Sequence, residues 1–381
     1  MNSFLYQQNN GYFAQVAENV EAAAAQELVG LGAQRPNPVH RGVYFNAEPE
    51  ALYRIVYQTR LCTRVLAPLL HFNCHSTKYL YKTALTLPWD QLLTLGLSFM
   101  INARVSDSLI SHSRYAALCL KDAIADWFQQ RLGARPNVDK TSPDLVFDLH
   151  IRRNQAVISL DLAGASLHRR AYRRESVEAP IQETLAAAII EFSGWNGEKP
   201  LVDPLCGSGT LLAEALMRQT GLPAAYLRDR FGFEHLPDFN PSAWIRVKAA
   251  AAAALRPLPP GLLAGSDLEP HAIQAARRNL ALLPGGDQVS LRVSPFQELE
   301  PLPKAVIVSN PPYGVRLGDQ AAAAALVREF GTFLKHKCTG STACLYFGDR
   351  QLLKEIGLKP NEKIYLNNGG LAGVLARYEM Y

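Results

Sequence analysis

The chain has 381 residues, of which 48% are hydrophobic and 19% charged, and a net charge of +5. This is the composition of a folded protein of two or three domains and excludes a disordered or low-complexity chain. No uncharged apolar run reaches the roughly 18 residues of a membrane span, and the opening "MNSFLYQQNNGYFAQVAEN" lacks the charged and apolar regions of a signal peptide.

In chain order, "GYFAQVA" (11–17) alternates as a strand, and "ENVEAAAAQELVGLGA" (18–33) has helical spacing that stops at Gly30 and Gly32. "GVYFNA" (42–47) is a second strand, and "EPEALYRIVYQTRLCTRVLAPL" (48–69) reads as one long amphipathic helix. "FMINARVS" (99–106) is strand-like, "RYAALCLKDAIADWFQQRLG" (114–133) helical, and "DLVFDLHIRRNQAVISLDLAG" (144–164) a hairpin turning at Arg153-Asn154. These are two small α+β units, the second ending near residue 170. Between 172 and 182 the grammar changes to regular βα alternation. "PLVDPLCGSGTLLAEALMRQ" (200–219) and "GLLAGSDLEPHAIQAARRNLALL" (261–283) are each strand, turn, helix. "KAVIVSNPPYG", "STACLYFGD" and "GGLAGVLARYEMY" add strands, with "AAAAALVREFGTFLKHK" as a helix between them. The fold class is α/β: a doubly wound, mostly parallel sheet preceded by α+β units.

Six cysteines without C-x-x-C spacing predict reduced, idle thiols in a cytoplasmic protein, with no metal site. Residues 1–180 carry 19 Lys+Arg against 15 Asp+Glu, the remainder 20 against 19. The excess is densest at "HRRAYRRE" (168–175), which is either a polyanion contact or a solvated face.

Three turns carry chemistry. "VDPLCGSGTLLAEA" places Asp203 at a strand end and Gly207 and Gly209 in the turn before a helix, whose N-terminus offers free N–H groups. The Walker A lysine and the third glycine of the dinucleotide fingerprint are both missing. An acidic residue beside free N–H groups suits a ligand with an amino-acid end, such as S-adenosylmethionine; a plain βα turn is the alternative. "LLAGSDLEP" puts Asp267 at the next strand tip, placed either for ribose hydroxyls or as a helix N-cap. The 64 positions from Asp203 exceed the roughly 20 of a simple nucleotide fold, so "RFGFEHLPDFNPSAWIRVKAAAAA" is an insertion. "SNPPYGVRLG" ends a strand in a stiff corner. There the Asn310 side-chain oxygen and the Pro311 carbonyl can hold both N–H groups of an exocyclic amine, Pro312 stiffens the turn, and Tyr313 can stack on an unstacked base.

The three turns in this order resemble the class I AdoMet-dependent methyltransferases that modify base amines. "LYKTALTLPW", "LKDAIADWFQQRLGARPNVD", "PDLVFDLHI" and "LDLAGASLHRRAYR" resemble a THUMP domain, an RNA-binding module, and its exit segment. "APIQETLAAAIIEFSGW", "VDPLCGSGTLLAEA", "RFGFEHLPDFNPSAW" and "SNPPYGVRLG" resemble the catalytic domain of bacterial 23S rRNA guanine-N2 methyltransferases, a family often described as N6-adenine-specific DNA methylases. The resemblance implies a ferredoxin-like unit at 1–70, a THUMP domain at 71–172 and a Rossmann-like methyltransferase domain at 173–381. It implies that Asp203, Pro204, Gly207 and Gly209 line the methionine end of S-adenosyl-L-methionine, with Asp267 on the ribose and Leu268 beside the adenine. Asn310, Pro311, Pro312 and Tyr313 form the catalytic loop, and Arg169, Arg170, Arg173 and Arg174 meet RNA phosphates, in an interaction that weakens with salt.

The implied activity is methylation of a guanine N2 in 23S rRNA or a large-subunit assembly intermediate. Two alternatives stand beside it, an N6-adenine methyltransferase and a non-catalytic RNA-binding assembly factor. The chain departs from the family where an acidic residue often recognises the adenine amine. Pro295 stands there instead, leaving Phe296 to pack on the adenine. It also has "RRAYR" for "RRGYR", with Ala171 in place of glycine. Some relatives continue into a second methyltransferase; the chain stopping at "ARYEMY" implies the guanine-N2 activity alone.

Overall fold

A computed structural model describes residues 4–175, 181–312 and 319–381. The N-terminal part runs β1 (Gly11–Val16), α1 (Glu21–Gly30), β2 (Gln34–Val39), β3 (Gly42–Asn46), α2 (Pro49–Gln58), β4 (Cys62–Asn73), α3 (Thr77–Ala84), β5 (Ser98–Ser106), α4 (Ser113–Leu132), β6 (Asn137–Val138), β7 (Leu145–Arg152) and β8 (Gln155–Asp161). All eight strands lie in one sheet, in the order β2-β3-β1-β4-β8-β7-β5-β6. The hairpin between β7 and β8 turns at Arg153-Asn154, both with positive φ as a tight two-residue turn requires.

The long helix expected at 48–69 is corrected: α2 stops at Gln58, and 62–73 is a strand. The switch has a local cause. The Glu27 carboxylate accepts from Thr59 Oγ1 (2.6 Å), Arg60 N–H (2.8 Å) and Leu61 N–H (3.2 Å), which fixes a non-helical corner. Pro68 is tolerated in the central strand β4 because the register with β8 slips between Pro68 and Leu70. Strand β2, "QRPNPV", gave no sequence signal because it holds two prolines. As the sheet's edge, paired only with β3, it can carry them.

The second part runs α5 (Glu183–Phe192), β9 (Leu201–Asp203), α6 (Thr210–Thr220), α7 (Pro241–Ala253), β10 (Leu263–Asp267), α8 (Pro270–Leu280), β11 (Ser290–Val293), β12 (Val306–Ser309), α9 (Asp319–Lys337), β13 (Thr342–Phe347), β14 (Glu362–Asn368) and β15 (Leu371–Glu379). The sheet order is β11-β10-β9-β12-β13-β15-β14, with the first five strands parallel and β15 antiparallel to both its neighbours. From β9 the chain winds outward through β10 to β11, then returns to place β12 on the other side of β9. Such a reversal opens a crevice at the C-terminal strand ends, where ligands bind in open α/β sheets.

The insertion between α6 and β10 packs back onto the N-terminal part. Tyr53 of α2 stacks on Phe233 with centroids 4.7 Å apart, and Tyr57 meets Trp244 of α7 edge-on at 5.2 Å. Tyr6 donates to Asp238 (2.7 Å), and Asn240 N–H to the Tyr53 hydroxyl (2.9 Å). Among the described residues no helix is long and apolar enough to cross a membrane.

Candidate functional site

Strand β9 ends at Asp203, and the chain turns through Pro204–Gly209 into α6. Gly207 and Gly209 have φ of +52° and +80°. A Cβ on Gly209 would also come within 3.1 Å of the Ala276 Cβ on α8, so the turn can lie this close to α8 only with glycine there. Gly207 N–H donates to Asp267 Oδ2 at 2.9 Å, while the other Asp267 oxygen accepts from Glu269 N–H at 3.0 Å. The second acidic turn therefore braces the first. Pro204 is buried, and its carbonyl accepts from Ser266 Oγ at 3.4 Å. Leu268, next to Asp267, is 60% exposed, an apolar side chain left open at the crevice edge.

Asp203 is 1% exposed and has no ion-pair partner among the described residues. Its carboxylate accepts from Leu205 N–H at 3.2 Å and from Ser309 Oγ–H at 2.8 Å. Burial pushes its pKa up to about 7; the two hydrogen bonds oppose the rise and the Asp267 charge adds to it. Cys206, in the same turn, has its thiol pushed well above the ordinary range by burial and by both aspartates. It is therefore no nucleophile.

Ser309 is the last residue of β12, fully buried, and Asn310 follows it. Asn310 Oδ1 is buried without a hydrogen-bond partner among the described residues. Buried acceptors are nearly always satisfied, and this one, at a strand end beside Asp203, is available to a donor from outside the chain. Pro311 is buried and Pro312 exposed. Tyr313, the fourth member of the expected loop, lies outside the described residues.

Two expectations need correction. Phe296 does not face the crevice: it is 2% exposed, with its ring edge-on to Phe330 and Phe333 of α9 at 5.0 and 5.5 Å. Its spacing after β11 matches a ligand position, but the aromatic residues of α9 bury it. The four arginines of 168–175 also divide. Arg169 and Arg174 are exposed, whereas Arg170 is 3% exposed. Arg170 pairs with the buried Glu214 of α6 at 3.4 Å and donates to the carbonyls of Leu167 and Arg60. Arg173 bonds the Ile181 carbonyl and Thr210 Oγ1 and lies 3.5 Å from Glu183. Both turn inward and tie the segment leaving the first sheet to α5 and α6, so neither is free for a phosphate.

Sequence reasoning missed Ser309 and Asn279. Asn279 of α8 is 1% exposed; its oxygen accepts from Arg174 N–H (2.9 Å) and Glu175 N–H (3.2 Å), and its nitrogen donates to Ser208 O (3.0 Å) and Glu175 O (2.9 Å). It fastens the connecting segment to the glycine turn. Its one signal was a polar residue on the apolar face of "AIQAARRNL".

Family models match the chain in three places: the RlmL ferredoxin-like domain at 12–66, the THUMP domain at 74–161 and the RMKL-like methyltransferase domain at 170–377. The chain is 38% identical to slr0064 of Synechocystis sp., named as an RNA methyltransferase, over 97% of both chains. It is 34% identical to ribosomal RNA large subunit methyltransferase K/L of Vibrio campbellii over 95% of this chain and 52% of that one. The chain thus spans about half the length of the K/L relatives. Among solved structures, SMU.472, described as a methyltransferase and solved with SAH, superposes with a TM-score of 0.86 at 27% identity over 100% of this chain and 99% of that one. A Listeria monocytogenes protein predicted to be an N6-adenine-specific DNA methylase superposes at 0.85 and 25% identity, with the same coverage.

Proposed function

The chain belongs to the THUMP-containing RMKL-like methyltransferases, an S-adenosylmethionine-dependent family, and on that premise we propose that it methylates the exocyclic N2 amine of a guanine in 23S rRNA. The observation that carries the reading is the open, buried Asn310 Oδ1 at the end of β12, beside the crevice braced by Asp203 and Asp267.

The crevice fits the cofactor. A fully buried carboxylate without a cationic partner is costly, and S-adenosylmethionine brings an ammonium to offset it. When bound, the cofactor supplies an electrophilic methyl group on its sulfonium. Asp203, Pro204, Gly207 and Gly209 hold its methionine end, Asp267 its ribose and Leu268 its adenine. An amine on a base is a poor nucleophile because its lone pair is delocalised into the ring. Asn310 Oδ1 and the Pro311 carbonyl accept its two N–H groups and free that lone pair; Pro312 stiffens the corner and Tyr313 stacks on the base.

The RNA is held by a ferredoxin-like unit (1–70) and a THUMP unit (71–172), with Arg169 and Arg174 on phosphates, and presented to a methyltransferase unit (173–381) in the cytoplasm.

The test is incubation with methyl-labelled S-adenosylmethionine and 23S rRNA from cells lacking the enzyme, followed by nucleoside identification. The expected product is N2-methylguanosine, absent with Asn310→Ala. Label in N6-methyladenosine would replace the guanine reading with the adenine one. No transfer to free rRNA or to large-subunit precursors would overturn both.

A further inference from the structure

We infer that Ser309 is a positioning residue whose hydroxyl locks the Asp203 carboxylate to the strand that carries Asn310, so that one contact sets both the cofactor turn and the base-binding corner. The inference rests on the proposed function and assigns a task to a side chain to which the sequence analysis gave no role. Strands β9 and β12 are parallel neighbours on either side of the reversal point, paired at Val306–Leu201 and Ile307–Val202. Asp203 ends one and Ser309 the other. The two side chains meet at 2.8 Å, with both residues essentially excluded from water.

A serine hydroxyl at the end of a central strand needs a partner when fully buried. Here that partner is the carboxylate closing the glycine turn, and the next residue holds the open acceptor. Displacing Asp203 therefore moves Ser309, and Asn310 is one peptide away. The bond also favours the ionised carboxylate. Asp203 is faced by the Asp267 carboxylate from the β10 turn and the Cys206 thiol from its own turn, with donors among the described residues from Leu205 N–H and Ser309 Oγ. Removing one of two donors leaves the charge less supported, so the proton is held to higher pH.

The experiment is the pH dependence of S-adenosylhomocysteine binding by calorimetry from pH 5.5 to 8.5, for wild type, Ser309→Ala and Ser309→Thr, together with kcat on 23S rRNA from cells lacking the enzyme. Wild-type affinity falls as pH drops through the Asp203 titration. In Ser309→Ala that limb moves up by about one pH unit, weakening binding about tenfold near neutral pH with recovery at the alkaline end. kcat falls as well, and Ser309→Thr restores both. A role in packing alone would not move the pH limb.

Should Ser309→Ala fold poorly, Ser309→Val against Ser309→Thr keeps the volume and changes the hydroxyl alone. An unmoved limb, or a valine variant equal to threonine, overturns the inference. Wild-type protein that binds S-adenosylhomocysteine with this pH limb but methylates no RNA would overturn the proposed function instead, with the limb still deciding the role of Ser309. Absence of S-adenosylhomocysteine binding by the wild type would overturn both.

Discussion

The site is organised around Asp203, a carboxylate buried with no cationic partner among the described residues. Asp203 has a folded-state pKa of about 7 against an ordinary aspartate value of 3.8. The folded state therefore binds a proton more readily than the unfolded chain between those values. This group's contribution to stability falls as pH rises through that window and levels off above about 7. Asp203→Asn removes the penalty and the function together. Its melting midpoint should lose the part of the decline between pH 5 and 8 that wild type shows, while S-adenosylhomocysteine binding at pH 8 weakens by about 30-fold, or about 2 kcal/mol. Parallel calorimetry and thermal melts check both; a variant that binds as tightly as wild type would remove Asp203 from the cofactor site.

A second residue carries backbone strain. Ala171 has a φ of +66°, in the left-handed region that disfavours any side chain. Glycine in Ala171→Gly relieves that strain but frees the unfolded chain as well, so the net gain is about 1 kcal/mol at most. A denaturant midpoint that drops on substitution would contradict it. Arg170, Tyr172 and Arg173 turn inward on either side of it, and the strained peptide lets "RRAYR" send them into the protein while Arg169 and Arg174 stay outside.

At the scale of elements, the sequence was legible wherever local pattern and tertiary context agreed. The turn at Arg153-Asn154, the βα units around Asp203 and Asp267, and the strand before Asn310 all followed from alternation and turn chemistry. What failed had tertiary causes. The helix at 48–69 has helical spacing, but the Glu27 carboxylate, about 30 residues earlier, fixes the corner after Gln58, and pairing with β1 and β8 draws the rest into the sheet. Strands β2 and β14 carry prolines or charges because they are sheet edges, which no local window reveals. At the site, motif spacing singled out Asp203, Asp267 and Asn310, which stand at strand ends linked through Gly207 and Ser309. It missed Ser309, whose partner lies 106 positions away, and misplaced Phe296 because the burying aromatics come from α9. Asn279 is the same kind of case, one amide joining α8, the glycine turn and the connecting segment. Asn279→Ala strips partners from Ser208 O, Glu175 O and two N–H groups, at a cost of about 1–3 kcal/mol. It should also raise the Kd for S-adenosylhomocysteine, because the glycine turn loses its anchor. Hydrogen exchange concentrated at residues 174–175 and 207–210 would confirm this local loosening; uniform exchange across the domain would argue against it.

At the scale of the whole molecule, the proposed function requires the part that reads RNA to be held at a fixed distance from the part that reacts. The insertion between α6 and β10 supplies that constraint. It lengthens the interval between Asp203 and Asp267 without disturbing either turn, and its aromatic residues close on α2 of the first sheet. Trp244 sits at the centre, edge-on to Tyr57, Phe231 and Phe233 at 5.2, 5.3 and 5.1 Å. Truncating it in Trp244→Ala removes buried aromatic packing worth about 3–5 kcal/mol, whose ring partners lie on α2 and in the insertion itself. The cofactor crevice should survive, because β9, β10 and β12 keep their pairing. The expected result is a Kd for S-adenosylhomocysteine within about twofold of wild type and a KM for RNA raised about tenfold or more, as productive presentation is lost. Equal losses in cofactor and RNA binding would mean that the insertion supports the methyltransferase fold itself. An unchanged KM would mean that the other contacts between the two parts, among them Tyr6 with Asp238 and Arg60 with the Met217 and Leu222 carbonyls, hold them in place without Trp244.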